Sequence, residues 1–182
     1  MNVFVLNTGR CGSMTFAKAC SHITNFSSGH ETRAHRLGPG RLRYPGNHIE
    51  VDNRLSWMLG RLDDIFGDSA IYVHLHRRRA DVMRSYIKRA DRGIMRAYGS
   101  VITIPKIRGS TINAESCARD MLYTMEKNIQ LFLRDKTRVM HVSLENAADD
   151  FPKFWKLIGA KGDLSAAVSE FSVRYNRTIK RR

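Results

Sequence analysis

The strongest constraint on this chain is its opening. A short apolar run, Val3-Phe4-Val5-Leu6, passes directly into Asn7-Thr8-Gly9-Arg10-Cys11-Gly12-Ser13 and then into a helical pattern. A continuous run of β-formers reads as a strand buried on both faces. From Met14 to Cys20 the pattern changes, with Phe16, Ala17 and Cys20 on one helical side. A strand that hands over to a helix through glycines presents unpaired backbone N–H groups where the helix dipole also favours negative charge. The first expectation is therefore an anion loop built from the N–H groups of Arg10, Cys11, Gly12 and Ser13. Gly9 and Gly12 permit the tight turn, Arg10 adds a planar cation, and Ser13 and Thr15 add hydroxyl donors.

The same alternation continues along the chain. Residues 27–46, rich in Gly, Pro, His and Arg, read as loop, and His48 to Asp52 as a second strand. Leu55, Met58, Leu59, Leu62, Ile65 and Phe66 fall at helical spacing, with Gly67 as the stop. Ile71 to His76 is a strand and Ala80 to Arg92 a helix. Residues 99–112 lack helical periodicity, which makes 98–113 a candidate mobile loop or small hairpin. Asn113 is the expected N-cap of a helix running to about Arg134, whose methionines belong to the core. Val139 to Val142 is a further strand, and Pro152 to Ile158 a short helix closed by Gly159. Trp57 and Trp155 are expected in the core. This order predicts an α/β fold: one domain over 1–182, three-layered, with a mainly parallel sheet and a P-loop-like strand-loop-helix at the N-terminus. In such sheets ligands sit at the carboxyl ends of the strands. That places the loops after Leu6 and after His76 at the site.

Composition narrows the function. In 182 residues, 31 Lys and Arg stand against 17 Asp and Glu, a net charge of +14 that favours anionic partners. Eight basic residues and only two acids, Asp81 and Asp91, lie between Arg77 and Arg96. Arg174, Arg177, Lys180, Arg181 and Arg182 read as a solvated basic tail. No run approaches the roughly 18 apolar residues of a membrane span. Cys11, Cys20 and Cys117 have neither disulfide-scaffold number nor metal spacing. With no secretory pattern at Met1, a cytoplasmic location is expected. His74 and His76 share a strand face without a third metal ligand, which favours packing. Cys11, beside Arg10 at a helix N-terminus, is expected to have a lowered thiol pKa.

The first loop is not a Walker A motif, because no lysine follows Gly12. A nucleotide kinase-like P-loop protein is thereby weakened. Arg77, at the end of its strand, precedes Ser85 by eight residues, so an arginine and a helix hydroxyl are placed to clamp a second phosphate. With both motifs in view, the sequence resembles the 3′-phosphoadenosine-5′-phosphosulfate (PAPS)-dependent sulfotransferases, particularly their small bacterial and Golgi-type members. Their P-R-S-G-T-T-like loop stands here as Gly9-Arg10-Cys11-Gly12-Ser13-Met14-Thr15. Their R-[DN]-P-x-D-x-x-x-S motif stands as Arg77-Arg78-Arg79-Ala80-Asp81-Val82-Met83-Arg84-Ser85. Val139 to Glu145 is similar to the family's later strand and Glu-x-Leu segment. Gly9 and Arg79 depart from the family's prolines, and no counterpart of the adenine-stacking aromatics is evident.

The resemblance implies transfer of a sulfuryl group from PAPS to an acceptor hydroxyl by in-line displacement, leaving adenosine 3′,5′-bisphosphate (PAP), with no metal required. Gly9 to Thr15 would hold the 5′-phosphosulfate, and Arg77 and Ser85 the 3′-phosphate. Arg10 would neutralise the charge that builds on the bridging oxygen. A general base is needed for the acceptor. Glu31, His35, His30 and Glu50 are the candidates, and Glu31 fits the family's placing of a glutamate after the first helix. The competing reading of Glu31 is a surface pair with Arg33 or Arg36. Residues 33–46 and 98–113 are the expected acceptor walls, for a glycan or a small metabolite. The rival class is a non-enzymatic basic nucleic-acid-binding module using Arg77–Arg96. The absence of any nucleic-acid motif counts against it.

Overall fold

The computed structural model describes residues 1–103, 113–173 and 175. Val3–Leu6 forms β1, every residue of it buried. Ser13–Cys20 forms α1 and Ser27–His30 β2. His48–Val51 forms β3, Leu59–Phe66 α2 and Ile71–His76 β4. Then come α3 (Arg79–Ile87), α4 (Gly93–Ala97) and α5 (Ala114–Leu133). The chain continues with β5 (Val139–Ser143), α6 (Ala147–Ile158) and α7 (Leu164–Ser169). The five strands form one sheet in the order β2-β3-β1-β4-β5, every pairing parallel. β1, the most hydrophobic, lies in the middle, as burial on two faces demands.

Alternation along β1 divides the core in two. Val3 and Val5 join Phe16 of α1 and Phe151 and Phe154 of α6 on one face. Phe4 and Leu6 join Leu62 of α2 and Ile129 and Leu133 of α5 on the other. Helices on both faces of a parallel sheet make the expected three layers. Phe16 is the hub of the first face, with ring centroids 5.3 Å from Phe151 and 5.2 Å from Phe154. Trp57 and Trp155 pack against this cluster while staying partly exposed.

Several expected boundaries moved for identifiable reasons. Residues 27–30 are a strand rather than loop. As an edge strand, β2 needs only backbone pairing with β3, so Ser27-Ser28-Gly29-His30 carries no apolar signal. The expected helix over 55–66 is split: Asp52 Oδ1 accepts the Arg54 N–H at 2.8 Å and caps a 3₁₀ turn, Asn53–Trp57, before α2 begins. α6 starts at Ala147, five residues before Pro152, which lies inside the helix instead of opening it. Tyr98–Ile102 forms a π turn, while 104–112 of the expected mobile loop, and the basic tail apart from Val173 and Tyr175, lie outside the described residues. Asn113 caps α5 as expected, its Oδ1 accepting the Ser116 N–H at 2.8 Å. Gly67 and Gly159 both stop their helices at positive φ. Among the described residues no helix is long and apolar enough to cross a membrane.

Candidate functional site

The loop between β1 and α1 is wound tightly and held from outside. Gly9, Arg10 and Gly12 have φ of 78°, 60° and 82°. For Arg10 a left-handed backbone costs about 1–2 kcal/mol, which the surroundings must hold in place. They do so with hydrogen bonds to the loop: Tyr86 Oη donates to the Thr8 carbonyl at 2.5 Å, and Ser56 Oγ to the Asn7 carbonyl at 3.0 Å. Asn7 Oδ1 accepts the Gly9 N–H at 2.8 Å. A Cβ on Gly9 would run into the Tyr86 hydroxyl and the Asn53 amide, and one on Gly12 into Leu144.

The consequence is a row of unspent donors. Phe16 N–H reaches the Gly12 carbonyl at 2.9 Å. Among the described residues, the N–H groups of Arg10, Cys11, Gly12, Ser13, Met14 and Thr15 have no acceptor. Gly12 occupies the N-cap, so no side chain closes the helix end, and the first turn carries no acid. Six consecutive free amides on a curled backbone form a nest for an anion.

Arginines surround the nest. Arg10 Nε donates to Ser85 Oγ at 2.8 Å, and Arg77 Nη1 donates to the Arg10 carbonyl at 3.4 Å. Burial, then the nearby Arg89 and Arg77, lower the pKa of the Arg10 guanidinium from its ordinary value. Cations crowded in this way gain from a bound anion, which offsets both burial and mutual repulsion. A cavity of about 510 Å³ opens over the loop, lined by Arg10, Gly12, Ser13, Met14, Thr15 and Arg77 together with Leu144, Phe171, Val173 and Tyr175. That volume lies within the range of about 300–1,000 Å³ usual for small-molecule sites. The cavity sits at the carboxyl ends of β1 and β4, where the strand order predicts a ligand.

The remaining predicted residues fall into three groups. Cys11 belongs to the loop but not to the cavity. Its side chain is buried, with Sγ donating to the Gly9 carbonyl at 3.1 Å, and burial raises its pKa to about 11, the reverse of the expected lowering. Ser85 approaches the cavity through Arg10. The base candidates separate: Glu31, at φ 53°, forms an ion pair with Arg54 instead of Arg33 or Arg36. His30 Nε2 lies 3.0 Å from Ser13 Oγ. Glu50 is fully buried, accepts from Thr32 N–H and Oγ at 2.7 and 2.6 Å and pairs with His48, which marks it as structural. His35 is exposed and has no hydrogen-bond partner among the described residues.

The histidine pair on β4 and the basic run after it also have definite places. His74 is buried with its ring 5.6 Å from His76 and 5.5 Å from His141, and burial followed by those two rings lowers its pKa to about 4. Among the described residues no group of three or more His, Cys, Asp or Glu is arranged to hold a metal ion. The Arg77–Arg96 run is partly paired: Arg77, Arg78 and Arg84 share Asp81, Arg79 pairs with Glu126, and Arg92 with Asp91. Sequence reasoning missed Tyr86 as the clamp on the loop and missed Phe171, Val173 and Tyr175 as cavity walls. Helical spacing marks Tyr86 only as apolar, and nothing in the sequence from Phe171 onward signals a return to the first loop.

No protein-family model matches the sequence, and no curated protein matches it. A structure search finds the mouse sulfotransferase SULT7A1 complexed with PAP, at a TM-score of 0.59 and 12% sequence identity. The match covers 94% of this chain and 63% of that one, so this chain spans somewhat less than two thirds of its length. The chain has a sulfotransferase-like α/β fold.

Proposed function

We propose that this chain is a sulfotransferase that moves a sulfuryl group from PAPS to an acceptor hydroxyl. The observation that carries the reading is the cavity where the loop with its six free amides meets Arg10 and Arg77, with Ser85 on Arg10. The likeness to a PAP-bound sulfotransferase supports it. The donor groups fit a ligand with two anionic ends: the nest suits the phosphosulfate, and Arg77 with Ser85 suits a 3′-phosphate. Phe171 and Tyr175 give the same cavity an aromatic side suited to a flat base.

PAPS, when bound, supplies an activated sulfuryl group whose leaving phosphate gains negative charge during transfer. The loop amides hold that phosphate without reorganising, because their backbone is already fixed by Tyr86 and Ser56. Arg10 places its guanidinium where the charge develops, and Ser13 donates its hydroxyl to the same group. Glu31 is the proposed base. It takes the acceptor proton after exchanging its contact with Arg54 for one with the acceptor hydroxyl, and Arg54 keeps the carboxylate oriented until then. His35, exposed and unbonded among the described residues, is proposed only as a second proton acceptor. The acceptor is proposed to be a hydroxyl of a glycan or small metabolite.

The test is PAP release from PAPS in the presence of a panel of hydroxyl acceptors, with wild type, Arg10→Ala and Glu31→Gln. Release that depends on an acceptor, falls at least about a hundredfold in Arg10→Ala and about as far in Glu31→Gln supports the mechanism. Release unaltered by either substitution contradicts it.

A further inference from the structure

We propose that His30 is a positioning residue that sets the direction of the Ser13 hydroxyl, so that the loop takes up a proton together with its anion. The inference rests on the reading of the β1–α1 loop as an anion site. Ser13 opens α1 and lines the cavity, while His30 is the last residue of β2 and stands outside the cavity wall. Their side chains meet, with Nε2 and Oγ 3.0 Å apart.

A serine hydroxyl has one proton to give. Where Nε2 is bare, that proton goes to the ring, and the Oγ lone pairs turn toward the cavity, where they repel an anion. Where Nε2 carries hydrogen, the ring donates to Oγ and the Ser13 proton is free to point at the anion beside the six loop amides. An anion therefore selects the Nε2-protonated ring. It favours the imidazolium further, because an opposite charge within about 4–6 Å raises the pKa of a base by one unit or more.

The acidic groups around His30 are already committed. β2 packs on β3 and α1. Val51 is the register partner of His30, and its neighbours Glu50 and Asp52 are bound to Thr32 and His48 and to Arg41. Glu31, next in the chain, is tied to Arg54. From α1 come Ser13 and the exposed Lys18, and Arg10 is on the loop itself. His30 is thus the titratable group in direct contact with a cavity-lining donor of the nest.

Inorganic sulfate is the probe, because it stays a dianion throughout about pH 5 to 8, where histidine titrates. The experiment follows the His30 imidazole and the Arg10–Thr15 amides by NMR, with and without sulfate, in wild type, His30→Gln and Ser13→Ala. Sulfate is expected to move the loop amides and raise the His30 pKa by about one unit, giving binding up to about tenfold tighter at about pH 5.5 than at about pH 8. His30→Gln, whose amide still donates but does not titrate, should bind sulfate with little pH dependence. Ser13→Ala should uncouple the ring from the anion. Unmoved loop amides overturn the proposal, as do a His30 pKa indifferent to bound sulfate and a pH slope retained in His30→Gln. A parallel titration with PAP keeps the two readings apart. Sulfate coupled to His30 without any preference for PAP over sulfate would count against the sulfotransferase assignment alone. PAP binding that leaves His30 untouched would count against the positioning role alone.

Discussion

Arg10 Nε donates to Ser85 Oγ at 2.8 Å, joining the first loop to the middle of α3 across 75 residues of sequence. The two side chains belong to the two motifs that the sequence offers as separate anion sites, and the fold brings those motifs into contact, with Arg10 but not Ser85 among the residues that line the cavity. A hydrogen bond between a guanidinium and a serine hydroxyl also fixes the direction of the arginine before any ligand arrives.

Under the proposed function, that bond makes Ser85 matter for ligand binding more than for stability. Ser85→Ala is expected to weaken PAP binding by about tenfold to a hundredfold, the worth of about 1.5–3 kcal/mol for a hydrogen bond to a charged group. Because Ser85 is only half-buried, thermal stability should move little. Calorimetric titration alongside a melting curve checks both halves.

Gly12 predicts a different pattern. At φ 82°, with Leu144 where a Cβ would sit, Gly12→Ala strains the backbone and displaces a neighbour. A stability loss of about 1–3 kcal/mol is expected, together with loss of anion binding as the amides turn away. Urea unfolding and sulfate titration of the same variant measure the two effects.

The cysteines should be inert, and their burial has a pH signature. Cys11 titrates at about 11 in the fold, above its ordinary value near 9, because burial disfavours the thiolate, and burial pushes Cys20 up as well. As pH rises through 9 the unfolded chain loses these protons first, so stability present below that value is lost toward pH 11, by about 2–3 kcal/mol for Cys11. A disulfide reagent such as Ellman's should label Cys11 at about pH 8 only at the rate of global unfolding.

At the acid end the sensitive group is His74. Burial, then His76 and His141, hold its pKa at about 4, below the ordinary 6.5. The unfolded chain therefore takes up the proton first as pH falls, and stability present above about pH 6.5 declines toward pH 4. By about pH 5 the loss should reach about 2 kcal/mol, and His74→Phe should remove most of it. Denaturant midpoints at the two pH values provide the measurement.

A buried ion pair anchors the segment beside the site. Arg41 and Asp52 are 1% and 0% exposed and meet at 2.5 Å, and Asp52 also caps the turn that carries Arg54. Arg41→Ala leaves a buried carboxylate without its cation and is expected to cost about 3–5 kcal/mol. Arg54, and with it Glu31, should lose its fixed place, which denaturation and a Glu31-dependent turnover assay would detect together.

The parts of this fold legible in the sequence are those that bury apolar runs. β1, β4 and β5 were visible as hydrophobic stretches, and α5 through its Asn113 cap and its Met121, Leu122, Met125 spacing. β2 was not, because an edge strand is held by backbone bonds that any side chain permits. α7 was missed because six residues are too few to show a period. Among the residues that line the cavity, the places of Arg10, Ser13 and Arg77 are readable because a strand end and a glycine loop fix them locally. Phe171 and Tyr175 were not, because only tertiary folding brings the far end of the chain over α1. The Cys11 pKa was misjudged for a related reason: a helix N-terminus lowers it, but the Thr8–Gly9 turn folds the thiol inward, and burial outweighs the dipole.

The central claim, one cavity made for a ligand with two phosphate-like ends, is tested most directly by calorimetric titration of PAP and of AMP into the wild-type protein and Arg10→Ala. The account predicts that PAP binds wild type at least about a hundredfold more tightly than AMP, and that Arg10→Ala loses most of that preference. Equal affinity for the two nucleotides, or no binding of PAP to a well-folded wild-type chain, would contradict it.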